Sequence, residues 1–194
     1  MSSILKVDQL QDSGGNAIIT SDGAGNITPG SLNIANAQIA SNAGIATTKL
    51  GTGAVLQVVK SQTSTQVQIT TVSVNTFLFE ASITPSSTSN KILALYDING
   101  IASSAANANR LEIIGYWNTS SGGTTGTVLN SSYSATNSNT IQEITSVSFS
   151  SLFTPATTST IYVKARVYTH DTSNIRYVNI YGSNSTITLM EIAG

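Results

Sequence analysis

The sequence has no cysteine, one histidine and few charged residues, and each shortage excludes a class of protein. Without cysteine there is neither a disulfide framework nor thiolate chemistry. Charged residues make up 9% of the 194 residues, against about a quarter in typical soluble domains. The five Lys and three Arg are scattered, so the concentrated positive charge that phosphate binding requires is missing. We therefore expect no nucleic-acid partner.

Long apolar stretches are also missing. The sequence contains no run of about 18 apolar residues, the length needed to cross a bilayer. Residues 1–8 also lack the apolar centre of a signal peptide. These features predict no membrane insertion and no classical export signal.

Catalytic and metal-binding patterns are equally scarce. A hydrolytic triad would have to use His170, which lies beside Asp171 with nothing in the sequence to place a serine near it. Metal sites need clustered ligands, whereas the nine acidic residues are dispersed. The fragment Asp97–Gly100 resembles part of a calcium loop, but Ala106 stands where the bidentate Glu belongs. We predict a non-enzyme without cofactor or metal, and a small carbohydrate-active enzyme is the remote alternative.

Serine and threonine replace the missing charges. The chain contains 29 Ser and 27 Thr and has a formal net charge of −1. A surface of hydroxyls and amides has little colloidal repulsion and little long-range field. Such a surface suits a component of a rigid particle better than a free cytosolic enzyme.

Alternating apolar residues from residue 54 onwards predict an all-β domain of eight to ten strands, an antiparallel β-sandwich of the jelly-roll kind. Two similar stretches, 83–92 and 153–161, each place Thr-Pro and a Ser/Thr-rich turn between apolar segments. Each predicts a long β-hairpin around a polar loop. The nearly all-apolar run 92–101 predicts a buried strand. In the run 161–168, Lys164 and Arg166 fall on the face that we expect to be wet or at an interface.

The first 53 residues differ from this domain. Residues 1–30 hold short β-like runs separated by Gly/Asn/Asp turns, which predict small hairpins. Residues 31–53 carry widely spaced aliphatic side chains that match neither helix nor strand periodicity. Three chains wound about one axis could bury them, which predicts a trimeric neck; the alternative is a disordered linker. The predicted neck residues are Leu32, Ile34, Ile39, Ile45 and Leu50.

Aromatic residues near the predicted strand ends offer contact surfaces. Tyr and Trp serve both at protein interfaces and as platforms for ligands such as sugars. Tyr116 and Trp117 precede a Gly/Thr-rich loop, residues 118–127, and Tyr133 follows it. We predict that Tyr116, Trp117 and Tyr133 form an exposed contact surface.

Three segments, in this order, resemble bacteriophage tail-fibre and related virion structural proteins of the marine and cyanobacterial phage type. Residues 3–16, with the turn 21–28, resemble their N-terminal segment, and residues 39–50 resemble their neck repeats. The stretch 83–93 and the closing residues 185–192 are similar to their small β-sandwich knobs.

This resemblance implies a homotrimer on the virion, made in the host cytoplasm and free of cofactors. Residues 1–30 would anchor it to other virion proteins, residues 31–53 would form the neck, and residues 54–194 would form a projecting knob. The implied function is a short fibre or spike that contacts a host-surface glycan or receptor. The chain is short for a tail fibre, which favours as an alternative a capsid decoration or cement protein, or a head fibre.

Overall fold

The computed structural model describes residues 9–24, 26–29, 50–71, 75–103, 109–136, 144–170 and 175–194. It divides the chain into two units, Met1–Ile45 and Ala46–Gly194. No helix in the described ranges is long and apolar enough to cross a membrane. The strands are β1 (Gln9–Gln11), β2 (Ala17–Ser21), β3 (Ile27–Pro29), β4 (Val55–Thr63), β5 (Val67–Ile69), β6 (Asn75–Ile83), β7 (Lys91–Ser103), β8 (Asn109–Asn118), β9 (Thr127–Thr136), β10 (Thr145–Phe153), β11 (Ile161–Thr169), β12 (Arg176–Val178) and β13 (Ser185–Ile192).

The N-terminal unit is a three-stranded antiparallel sheet in the order β1-β2-β3, which confirms the predicted hairpins. Its two turns are built alike: a carboxylate oxygen of Asp12 accepts hydrogen bonds from the N–H groups of Gly14 and Asn16, both at 2.8 Å. Asp22 makes the equivalent bonds to Ala24 and Asn26. Leu10 pairs with Ile19, and both are exposed, because the described residues of this unit form a single layer.

The second unit is a jelly roll. Its eight main strands are, in chain order, β4, β6, β7, β8, β9, β10, β11 and β13. One sheet contains the first, eighth, third and sixth of these, in the order β4-β13-β7-β10, and is extended to six strands by β12 and β5. The other sheet contains the second, seventh, fourth and fifth, in the order β6-β11-β8-β9. All pairings are antiparallel, and this strand order confirms the predicted jelly-roll-like sandwich.

The core lies between the two sheets and is built from alternate residues of each strand. In β11, Ile161, Val163, Ala165 and Val167 point inward and are fully buried, as their alternation predicts. Tyr96 of β7 stacks on Phe149 of β10 with ring centroids 4.5 Å apart. Burial raises the pKa of the Tyr96 hydroxyl, which therefore stays protonated.

The two Thr-Pro segments do not form hairpins, so that prediction is wrong. Strands β6 and β7 belong to different sheets, and so do β10 and β11. Each Thr-Pro segment is instead a corner at which the chain crosses from one sheet to the other. The corners lie side by side, since Ile83 pairs with Ile161 and the Thr84 and Thr160 hydroxyls are 2.8 Å apart. Local sequence marks a turn, whereas the choice between a hairpin and a crossing depends on which strands find partners elsewhere.

Four of the predicted neck residues, Leu32, Ile34, Ile39 and Ile45, lie outside the described residues. Leu50 is described and is 40% exposed. It lines an open cavity of about 330 Å³ together with Leu56, Ala193 and the corner residues 86–90. The chain therefore enters the jelly roll beside a hollow of mixed polarity at the corner end of the sandwich.

Candidate interaction surfaces

The three aromatic residues predicted to form one exposed surface have different environments. Tyr116 is fully buried, so the prediction is wrong for this residue. Trp117 is half-buried and points into the sandwich, where it stacks on Phe153 at 5.5 Å between ring centroids. Tyr133 is 53% exposed. The sequence marked all three as amphipathic, but only the fold determines which side of the sheet each one occupies.

Tyr116 is buried because the loop 119–126, between β8 and β9, folds over the outer face of the four-stranded sheet. Glu80, Lys164 and Tyr116 form one row across β6, β11 and β8. The Lys164 ammonium donates to the carbonyls of Ser120 and Gly122. Its Nζ also lies 3.9 Å from the Glu80 carboxylate. Lys164 is fully buried, so its expected wet or interfacial position is wrong: the loop of the same chain covers it.

Three further side chains of the same sheet, those of Glu80, Arg166 and Tyr116, form hydrogen bonds with the middle of the loop. The Glu80 carboxylate accepts a hydrogen bond from the Gly122 N–H at 2.9 Å and another from the Ser121 hydroxyl. The Arg166 guanidinium donates to the Thr124 carbonyl, and the Tyr116 hydroxyl donates to the Gly123 carbonyl. Burial raises the pKa of Tyr116 to about 12, with Arg166 lowering it and Glu80 raising it. The hydroxyl is thus a permanent donor to the loop.

A second polar cluster, built around His170, lies at the far end of the same face. His170 Nε2 is 3.0 Å from a Glu112 carboxylate oxygen. The imidazole packs edge-on against Tyr168 at 4.7 Å and lies 5.9 Å from Tyr133. Burial raises the pKa of Glu112, but hydrogen bonds from Ser131, His170 and Tyr133 outweigh it and lower the pKa overall. The donors around this carboxylate hold it ionised, which is unlike a general acid.

The outer face of the six-stranded sheet carries an apolar patch. Val58, Met190, Leu93 and Leu152 are direct cross-strand neighbours and form one row across β4, β13, β7 and β10. Val55 and Ile192 pair in the next row. We call these six residues the outer band. Val55, Val58 and Leu152 are at least half exposed, and the other three are half-buried.

The rest of this face is polar and concave. Beyond the outer band, the flanking strands carry the short side chains of Ser148, Ser150, Thr186 and Thr188. These residues and Asp97 surround Leu95 in an open groove of about 450 Å³. The Asp97 carboxylate accepts hydrogen bonds from Ser148 at 2.9 Å and Asn99 at 3.1 Å. The apolar residues therefore concentrate at the end of the face where β4 begins.

Sequence reasoning missed the outer band, although the sequence carried a signal for it. Strand β7 is apolar at consecutive positions, Ile92 to Leu95, and β4 contains the pair Val58-Val59. Strands that are apolar on both sides are typically buried on both sides. In this chain Ile92 and Ala94 are buried in the core, whereas Leu93 and Leu95 lie on the outer face. The prediction that residues 92–101 form a buried strand therefore holds for one side only.

In the parts of the chain that the structure describes, we find no group of side chains arranged for catalysis. No group of three His, Asp or Glu side chains there could share a metal ion. Glu191 is buried, but it is occupied at the first corner, where it accepts hydrogen bonds from Ser86, Asn90 and Gln57. It therefore stabilises the corner that contains Pro85.

Comparisons with known proteins give only distant likenesses. No protein-family model and no curated protein sequence matches the chain. Among solved structures it is similar to a Bacillus endospore appendage protein, from a family of disulfide-linked pili, at 16% identity and a TM-score of 0.35 over 75% of this chain and 98% of that one. It is also similar to VP2 of the infectious bursal disease virus subviral particle, at 16% identity and a TM-score of 0.42 over 71% of this chain. A chain of T=1 particles derived from infectious bursal virus gives 16% identity and a TM-score of 0.39 over 71% of this chain.

The alignments cover 33% and 36% of those two viral chains, so this chain spans about a third of their length. Likenesses with TM-scores this low carry no argument about function. The jelly-roll assignment rests on the strand order of this chain alone, and the resemblance to bacteriophage fibres stays a prediction from sequence.

Proposed function

We propose that this chain is a non-catalytic structural protein of a bacteriophage virion. In this proposal it is a short homotrimeric fibre or spike. Residues 1–30 anchor it to other virion proteins, residues 31–53 form the trimeric neck, and the jelly roll, residues 54–194, is a knob that contacts a glycan or receptor on the host surface.

The proposal is supported most directly by the division of the chain into two units, of which only the second has a hydrophobic core among its described residues. The jelly roll has a two-layer core, whereas the three-stranded N-terminal sheet leaves Leu10, Ile18 and Ile19 exposed. A sheet of this size is marginally stable by itself. Leu10 and Ile19 are directly paired, and such neighbouring exposed apolar side chains favour docking on a partner. Such a sheet suits an anchor that becomes fully buried on a larger partner.

The self-association part of the proposal is tested by the solution mass of the full chain, measured by light scattering. We expect three times 20.1 kDa. The double variant Ile39→Asp/Ile45→Asp should be monomeric or aggregated, because charges would enter the apolar centre of the neck. A monomeric wild-type chain would overturn the homotrimer, and an unchanged trimer of the variant would overturn the neck assignment.

The alternative role is a decoration or cement protein, or a head fibre, on the capsid shell. The small exposed sheet at residues 9–29 suits docking on a shell as well as on a tail. Copy number separates the roles: antibody labelling of intact particles should place a tail fibre in few copies at one vertex and a cement protein in many copies over the shell. Incubation with host polysaccharides tests the remote enzymatic alternative, since release of oligosaccharides would contradict a non-catalytic role.

A further inference from the structure

The outer band of the six-stranded sheet needs a partner that the chain's own described residues do not provide. On the four-stranded sheet, the part of the outer face around Lys164 is covered by the loop 119–126. The outer band is bare, and Val58 and Leu152 are 57% and 55% exposed. In its central strand, β7, the consecutive residues Ile92 to Leu95 are apolar on both sides of the sheet, which is the composition of a segment that is buried on both sides.

The position of the outer band identifies the partner. Val55 and Val58 belong to the strand that directly follows the proposed neck, and Val55 is only five residues beyond Leu50. The outer band lies at this end of the face, with the exposed Lys91 next to Ile192, and the rows that carry Ser and Thr lie at the other end. A neck that gathers several copies of the chain brings this end of each jelly roll close to the same end of the others.

The size of the outer band fits this arrangement as well. Strands about 4.8 Å apart and rows about 7 Å apart give a patch on the order of 200 Å². A stable interface buries roughly 800 Å² on each partner. The patch is therefore too small to hold free jelly rolls together, but it suffices where a tether supplies a high effective concentration.

We propose that the outer band is the contact between the jelly rolls of neighbouring copies of this chain. This inference rests on the self-association in the proposed function and names the surface that the knobs use. The copies contact each other through Val58, Leu93, Leu152 and Met190, which form the apolar centre of an interface with a polar rim.

The test uses thiol reactivity, because the absence of cysteine makes every introduced thiol unique. Val58→Cys places a thiol in the outer band. Val128→Cys is the matched control: it changes the same residue type at a site that is 54% exposed, on β9 of the other sheet. Both variants are made in the full chain, alone and combined with Ile39→Asp/Ile45→Asp, and reaction with a chromogenic disulfide reagent is followed. Light scattering gives the mass of each sample.

In the oligomer we expect the thiol at position 58 to react about tenfold more slowly than the thiol at position 128, because the neighbouring copy covers it. In the monomeric neck variant the two thiols should react at similar rates. Leu152→Cys should repeat the result from the opposite edge of the outer band.

Three results would overturn the inference, and they differ in what they say about the proposed function. Equal reactivity of the two thiols in an oligomer would remove the outer-band contact and leave self-association intact. A slow thiol at position 58 in a monomer would mean that residues 30–49 of the same chain cover the outer band. Equal rates in a monomeric wild-type background would overturn both the contact and the homotrimer.

Discussion

The two outer faces of the jelly roll differ in coverage, and hydropathy would suggest the reverse: charged residues are covered and apolar residues are exposed. On the four-stranded sheet, the part of the outer face that carries Glu80, Lys164 and Arg166 is covered by the loop 119–126. On the six-stranded sheet, no described segment covers the outer band, whose Val58 and Leu152 are more than half exposed. The charged row is thus closed within the chain, and the apolar row is left open among the described residues.

Hydrogen bonding explains the covered face. The loop 119–126 presents backbone carbonyls to Lys164 and Arg166 and an N–H group to Glu80, so the Lys164 ammonium is fully buried and keeps hydrogen-bond partners. The loop is rich in Gly and Thr and has no large apolar side chain to bury. A loop of that composition fits a charged face and could not cover the outer band.

The largest expected effect comes from removing the cation under the loop. Lys164→Ala should lower the free energy of unfolding by about 3–5 kcal/mol, because two loop carbonyls lose their donor and Glu80 loses its neighbouring charge. Urea denaturation measures the change.

Lys60 provides the control, since it lies on the outer face of the six-stranded sheet and is exposed. Lys60→Ala should change the free energy of unfolding by less than about 0.5 kcal/mol. Equal effects of the two substitutions would mean that the loop does not bury Lys164.

A smaller effect is expected where the loop returns to the sheet. Gly126 has φ 151°, and a Cβ there would lie 2.5 Å from the Trp117 carbonyl oxygen. Gly126→Ala should cost about 2–3 kcal/mol through backbone strain and displacement of the loop, measured by thermal unfolding.

Gly122→Ala is the matched control in the same loop. Gly122 also has positive φ, 70°, but nothing lies within 4 Å of the added Cβ. Gly122→Ala should lower the free energy of unfolding by about 1–2 kcal/mol, which is the cost of the left-handed backbone conformation alone. A cost as large as that of Gly126→Ala would show that the close approach to Trp117 is not what Gly126 provides.

A smaller effect on stability is expected from the ionisation of Glu112, which lies in the His170 cluster at the far end of the same face. The pKa of Glu112 is lower in the folded chain than its usual value, so its contribution to stability is present above about pH 4.3, where the unfolded carboxylate ionises. This contribution is lost as the pH falls through the lower, folded pKa. Glu112→Gln should remove it, at a cost of about 0.5 kcal/mol at neutral pH after screening.

The measurement is the free energy of unfolding from neutral to acidic pH in wild type and variant. The dependence of the free energy of unfolding on pH should be weaker in the variant than in wild type. It should not vanish, because Glu191, whose pKa is also lowered, still titrates. An unchanged pH dependence would contradict the role given to the carboxylate of Glu112.

The smallest effect on the unfolding of a single chain is expected on the bare face. Val58→Ser/Leu152→Ser should change it by less than about 0.5 kcal/mol, because both side chains already face solvent. We make this measurement in the monomeric Ile39→Asp/Ile45→Asp background, by urea denaturation. A loss of several kcal/mol there would mean that the outer band is packed within one chain.

Some features of the fold could be predicted from neighbouring residues alone. The alternation in 161–167 predicted a strand with one buried side, and the Asp-to-Asn turns predicted the hairpins of the first unit. The Ser/Thr-rich Thr-Pro segments correctly marked two turns. These features depend on backbone conformation and side-chain direction, which are local properties.

The candidate surfaces could not be predicted in the same way. Tyr116 and Lys164 are amphipathic residues on the polar side of their strands, and their burial depends on a loop that crosses from β8 to β9. The outer band joins residues from four strands between positions 55 and 192, and no window of sequence contains it. Its one local sign is the run of consecutive apolar residues Ile92 to Leu95 in β7.

The sequence by itself determined the all-β class, the turn positions and the scarcity of groups for catalysis, because composition, periodicity and turn chemistry act over a few residues. Only the tertiary structure decided which turns are corners, which charged residues lie under the loop and which apolar residues remain on the surface. Those outcomes depend on pairing between strands far apart in the chain, where hydrogen bonding and packing of the whole sandwich choose among arrangements that are locally equivalent.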